Sequence, residues 1–214
     1  MGERVQRKKI FCFGDSNTWG INAIDGTRFD ELTRWPKVLE TSLGKRFFII
    51  EEGLNGRTLL NLNPDNNEAC GVSWIEKAAA PHIPIDIVII ALGMNDVFDP
   101  SEVPLYEIDK GMRALITKIF NAHRASSFTV PEIILMGPPS IDRNFDGSQF
   151  FELQINKMIA LGPLYKNIAE EESVKFFEAS HFIKTSGIDC SHIDGENHRI
   201  LGCELARFIE GTLK

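Results

Sequence analysis

The stretch Ile85-Asp86-Ile87-Val88-Ile89-Ile90-Ala91-Leu92, followed at once by Gly93-Met94-Asn95-Asp96, decides the fold. Its first eight residues are almost continuously apolar and rich in β-branched side chains. A strand buried on one face alternates apolar and polar residues, whereas one buried on both faces does not. The run therefore predicts an interior strand of a parallel sheet. Four shorter apolar runs have the same character: Ile10–Phe13, Phe47–Ile50, Ile133–Met136 and Val174–Phe177. Helical patterns lie between them. Trp35–Leu43 has Pro36 near its start and Gly44 just past its end, the usual asymmetry of helix punctuation. From Leu105 onward, Ile108, Met112, Leu115, Ile116 and Ile119 recur at three- and four-residue spacing. Residues 150 to about 169 carry another stripe, with a kink or break expected at Gly162-Pro163. A last helix, from about Gly195 to Leu213, has Asp194 as its expected cap. Strands alternating with helices predict an α/β protein, a three-layer α/β/α sandwich around a five-stranded parallel sheet. The expected organisation is a short tail over residues 1–9 and one domain over residues 10–214.

Composition narrows the function. The 214 residues carry a formal net charge of −7, with 43% hydrophobic and 25% charged residues. That balance disfavours nucleic acid and anionic membranes, which both select clustered positive charge. No apolar window approaches the roughly 20 residues of a membrane span, and no signal-type run precedes the first strand. Cys12, Cys70, Cys190 and Cys203 match neither a zinc pattern nor a CxxC pair, so free thiols and a cytoplasmic location are expected. The group His192, Asp194 and His198 matches no familiar metal-binding motif, and neither a metal nor another cofactor is expected.

In open parallel sheets the working residues gather beyond the carboxyl ends of the strands. Four segments with chemical potential fall there. Gly14-Asp15-Ser16-Asn17-Thr18-Trp19-Gly20 follows the first strand, and Ser16, just past a strand end, can present its hydroxyl outward as a nucleophile. Gly53-Leu54-Asn55-Gly56-Arg57-Thr58 follows the second, where Gly56 can bring a backbone N–H close to a substrate oxygen. Asn95 follows the third, and its amide can donate to a developing oxyanion. Asp189-Cys190-Ser191-His192 precedes the last helix; Asp189 can hold one imidazole nitrogen while the other faces a serine. Each segment also reads as an ordinary turn or helix entry. Together they supply a nucleophile, a base with its orienter, and oxyanion donors.

These blocks resemble, in chain order, those of the SGNH (GDSL-type) hydrolases: Gly14-Asp15-Ser16, Gly56, Gly93-Met94-Asn95-Asp96 and Asp189-Cys190-Ser191-His192. Segments 14–20, 34–39, 51–58, 85–96 and 186–202 are similar to the arylesterase and acyltransferase branch. The resemblance implies a flavodoxin-like sheet and a serine esterase acting on short-chain acyl or aryl esters, with acyl transfer as a further capability. It implies Ser16 as nucleophile, His192 as general base and acid, and Asp189 as orienter of His192. The backbone N–H groups of Ser16 and Gly56 and the Asn95 amide would form the oxyanion hole. Asp15, Trp19, Phe145 and Phe150 are expected around the substrate, although core or surface roles are equally open for the aromatic residues. The implied partners are a small ester and further copies of the chain, from dimer to octamer. Thioesterase, lysophospholipase, carbohydrate acetylesterase and non-catalytic binding remain alternatives. Two departures stand out: Asn17 occupies the leucine position of the GDSL name, and Cys190-Ser191 stands where the branch has glycine followed by an apolar residue.

Overall fold

The computed structural model describes residues 7–144 and 148–212. The sheet has five strands: β1 (Lys8–Gly14), β2 (Phe47–Gly53), β3 (Ile87–Ala91), β4 (Glu132–Met136) and β5 (Lys175–Phe177). All neighbouring pairs are parallel, in the order β2-β1-β3-β4-β5. The helices are α1 (Ser16–Trp19), α2 (Trp35–Leu43), α3 (Gly71–Ala79), α4 (Met94–Phe98), α5 (Leu105–Ala125), α6 (Glu152–Glu171) and α7 (Gly195–Thr212).

Because successive strand residues point to opposite faces, the continuous apolar run of β3 serves two cores. Ile87, Ile89 and Ala91 pack with Trp35 and Leu39 of α2 and Leu201 and Leu205 of α7. Val88 and Ile90 pack on the other side with Ile75 of α3, Met112 and Leu115 of α5, and Met158 and Leu161 of α6. The expected three-layer α/β/α sandwich is thus the observed one. The single charge in the run has a defined task, since Asp86 Oδ2 accepts from the Lys9 backbone N–H at 2.7 Å at the strand entry.

The chain leaves β1 toward β2 on one side, then returns to β3 on the other side of β1. The carboxyl end of β1 is therefore the switch point of the sheet, where crevices open in such folds. Ser16 stands there.

Two expectations need correction, and one helix had none. Lys8 and Lys9 belong to β1, paired with Phe47 and Phe48, and not to a tail; residues 1–6 lie outside the described residues. Helix α6 runs through Gly162 and Pro163 without a break. Pro163 sits on the exposed face, so water can satisfy the carbonyl one turn back that its ring leaves without a donor. Helix α3 has no sequence expectation of its own, because only Gly71, Ile75 and Ala79 are fully buried and two of those are too small to mark a stripe.

Candidate active site

The site begins with a tight turn. Asp15 caps α1, its carboxylate accepting from the Asn17 N–H at 2.9 Å. Ser16 is the first residue of that helix, so its N–H has no acceptor inside the helix. Burial pushes the Asp15 carboxyl up to about 6, against the pull of that hydrogen bond and of His192.

His192 and Asp189 come from the loop before α7. Ser16 Oγ lies 2.9 Å from His192 Nε2. His192 Nδ1 lies 2.8 Å from Asp189 Oδ2. The other carboxylate oxygen of Asp189 accepts from the backbone N–H groups of His192 (2.7 Å) and Ser191 (3.0 Å). Partial burial pushes the Asp189 carboxyl up, but the hydrogen bonds from His192 and Ser191 outweigh it and bring the group down to about 2. An ionised carboxylate there favours the Nδ1–H tautomer and leaves Nε2 free to take the serine proton.

The second and third segments are joined through Arg57. Its side chain is 0% exposed and sits over the Phe13 ring at 4.4 Å. Nη1 donates to the carbonyls of Gly14 (3.1 Å) and Glu52 (2.6 Å), and Nη2 pairs with Glu52 Oε1 at 3.0 Å. The Arg57 carbonyl in turn accepts from Asn95 Nδ2 at 2.9 Å. That amide has a second N–H, which stays available for a substrate oxygen. One residue thus ties the end of β1, the Gly56 turn and Asn95 together. Gly56 is exposed with φ +73°, a conformation that glycine adopts without strain. Asp96 Oδ2 and Oδ1 accept from the N–H groups of Leu59 (2.7 Å) and Leu60 (2.9 Å), fastening the same loop to α4. Burial pushes the Asp96 carboxyl up to about 6 despite those bonds. Arg57 and Asp96 carry no signal in the sequence beyond lying in motifs; their bonds to Gly14, Asn95, Leu59 and Leu60 span 36 to 43 positions.

Of the expected surrounding residues, Asp15 lines a small apolar cavity of about 40 Å³ with Asn17, Leu92, Met94, Met136 and Pro138. Trp19 is half-buried under the Arg28 guanidinium, 5.3 Å from its ring, and is not in that lining. Phe150 is 79% exposed and does not line the cavity either. Phe145 lies outside the described residues. A larger cavity of about 330 Å³ adjoins the first through Pro138 and Pro139 and adds Ser140, Arg143, Glu178 and Ser180. No helix among the described residues is long and apolar enough to cross a membrane.

This geometry can be set beside known proteins. The model of the GDSL-like lipase/acylhydrolase family matches residues 12–195. Among curated proteins no sequence matches. Among solved structures, the native aryl esterase of M. smegmatis is 34% identical, with 96% of this chain and 100% of that chain covered at a TM-score of 0.87. A carbohydrate acetylesterase from Sinorhizobium meliloti is 31% identical over 96% of this chain and 99% of that one, with a TM-score of 0.85. With the family match spanning all four segments and the fold shared end to end, the chain belongs to the GDSL-like lipase/acylhydrolase family and is a carboxylic ester hydrolase.

Proposed function

We propose that the protein hydrolyses short-chain acyl esters through an acyl-enzyme on Ser16. The relay from Ser16 Oγ to His192 Nε2 (2.9 Å) and from His192 Nδ1 to Asp189 (2.8 Å) carries this reading. Ser16 attacks the ester carbonyl as its proton passes to His192, and Asp189 stabilises the imidazolium. The Ser16 and Gly56 N–H groups and the Asn95 amide receive the oxyanion. One such donor is typically worth about 10²–10³ in rate. His192 then protonates the departing alcohol, and water, with His192 again as base, releases the acid. An alcohol taking the place of that water would give acyl transfer.

The cavity lined by Asp15 and Asn17, the two sequence neighbours of Ser16, supports a short acyl group, with Ser16 and His192 themselves outside its lining. Its volume of about 40 Å³ holds a few waters at roughly 10–15 Å³ each, room for a methyl or ethyl group. The alcohol side supports a second reading. The adjoining cavity places the Glu178 carboxylate and the Ser140 and Ser180 hydroxyls around about 330 Å³, a lining suited to an alcohol that itself carries hydroxyls. The similarity to a carbohydrate acetylesterase points the same way.

One experiment tests both readings: hydrolysis of p-nitrophenyl acetate through octanoate, and of a peracetylated sugar, by wild type and Ser16→Ala. The expected result is fastest turnover of the shortest acyl groups and a loss of at least about 10⁴-fold in Ser16→Ala. An inert wild type, or an active Ser16→Ala, overturns the assignment. Preference for the sugar acetate over p-nitrophenyl acetate selects the second reading.

A further inference from the structure

Asn17 stands where the family name has leucine, and the proposed function uses it only as part of the wall of the small cavity. Its side chain is nonetheless fully engaged. Nδ2 donates to the Ser191 carbonyl at 2.9 Å, and Oδ1 accepts from the Ile193 N–H at 3.0 Å. Those two peptide groups flank His192 on either side. They also fix the orientation of the amide, since a carbonyl requires the NH₂ end and an N–H requires the oxygen end. The residue is only 9% exposed and packs beside Met94 Sδ at 3.8 Å.

From this we infer that Asn17 is a positioning residue that holds the His192 loop at its working distance from Ser16. The kinetic consequence rests on the esterase reading; the positioning itself does not. Asp189 lies three residues from His192 in the same loop, so its bonds set the tilt of the ring within that loop. They cannot set how far the loop stands from the nucleophile. The Ser16–His192 bond spans 176 positions of sequence and is a single bond. The Asn17 amide closes a ring beside it: Ser16, Asn17, the two peptides and His192. A leucine branches at Cγ in the same way but offers neither donor nor acceptor, and it would leave the Ser191 carbonyl and the Ile193 N–H unpaired. Displacement of a reacting group by about 1 Å can cost about 10²-fold in rate.

The test compares Asn17→Leu, which keeps the branch at Cγ without a polar atom, with Asn17→Ser, which is too short to reach either peptide. Three readouts are taken: kcat and KM on p-nitrophenyl acetate, the imidazole proton signals of His192 by NMR without substrate, and Tm. Both variants are expected to lose about 10- to 100-fold in kcat with KM within about twofold, and to show exchange-broadened His192 signals where the wild type is sharp. A merely structural role would lower Tm while folded variants kept wild-type kcat and a sharp imidazole; that result in either variant overturns the inference. If Asn17→Leu does not fold, Asn17→Ser decides. If Ser16→Ala shows the esterase reading to be wrong, the imidazole signals still report whether the loop is held.

Discussion

At the scale of single residues, the buried ionisable groups around the site oppose one another in acid. His198 on α7 is 0% exposed; its Nδ1 accepts from the Trp35 N–H at 3.3 Å, standing in for a side-chain cap on α2. Burial holds its imidazole well down, to about 3 from an ordinary 6.5. Below pH 6.5 the unfolded chain gains a proton there that the folded one refuses. The stability from His198 is therefore complete above pH 6.5 and is lost as pH falls toward 3. Asp15 and Asp96 run the other way. Their folded carboxyls, raised to about 6 from 3.8, hold protons that the unfolded chain has released, so their cost at neutrality is relieved as pH falls from 6 to 4. Asp189, lowered to about 2, contributes stability that is lost only below about pH 4. A His198→Asn variant, which keeps an acceptor within reach of the α2 start, should be less stable than wild type at pH 7. It should close that gap by about 2 kcal/mol between pH 6 and pH 4.5, the histidine's share at about 1.4 kcal/mol per pH unit. Urea melts of both proteins at the two pH values measure it. Parallel pH dependence would show that His198 titrates freely in the folded state.

At the scale of elements, α6 shows what an interior proline costs when its helix is amphipathic. A proline within a helix typically costs about 3 kcal/mol, yet α6 spans Glu152–Glu171 with Pro163 in the middle. Buried Ile155, Met158, Leu161, Tyr165 and Ile168 anchor the helix on both sides of it. Pro163→Ala should restore the missing donor and stabilise the protein by about 1–3 kcal/mol, read as a higher Tm. Unchanged or lowered stability would mean that the ring's own packing matters more than the lost bond. The same helix makes a complementary point. Tyr165 Oη donates to the Leu92 carbonyl at 2.8 Å, and it occupies the space beside Gly93, where a Cβ would lie 2.0 Å from the hydroxyl. Gly93 at φ +107° thus permits both the turn into α4 and the contact that fixes the end of β3.

At the scale of the whole molecule, the site is assembled from both ends of the chain, with Ser16 at the end of β1 and His192 before α7. Opening either half separates them, so esterase activity and the fluorescence of Trp35 and Trp74, which sit on opposite faces of the sheet, should be lost at the same urea concentration. Activity lost well before fluorescence would show that the loop before α7 opens on its own. Much of this architecture was legible in the amino-acid order. Five apolar runs marked five strands; in the interior strand β3 the cause is burial on both faces, which needs apolar side chains at consecutive positions. Glycines and polar residues at their carboxyl ends marked the site because turns there demand those residue types. Helix α3 and the continuity of α6 were not legible, since each depends on which face meets the sheet. By itself, then, the sequence determined the layered α/β architecture and offered the candidate nucleophile, base and oxyanion donors on which the proposed function rests. Only the tertiary structure decided that Arg57 joins three of those segments, that Asn17 grips the peptides on both sides of His192, and that His198 caps α2. Those bonds join residues 38 to 176 positions apart; short-range order constrains local conformation, while pairing at that distance is set by how the helices pack on the sheet.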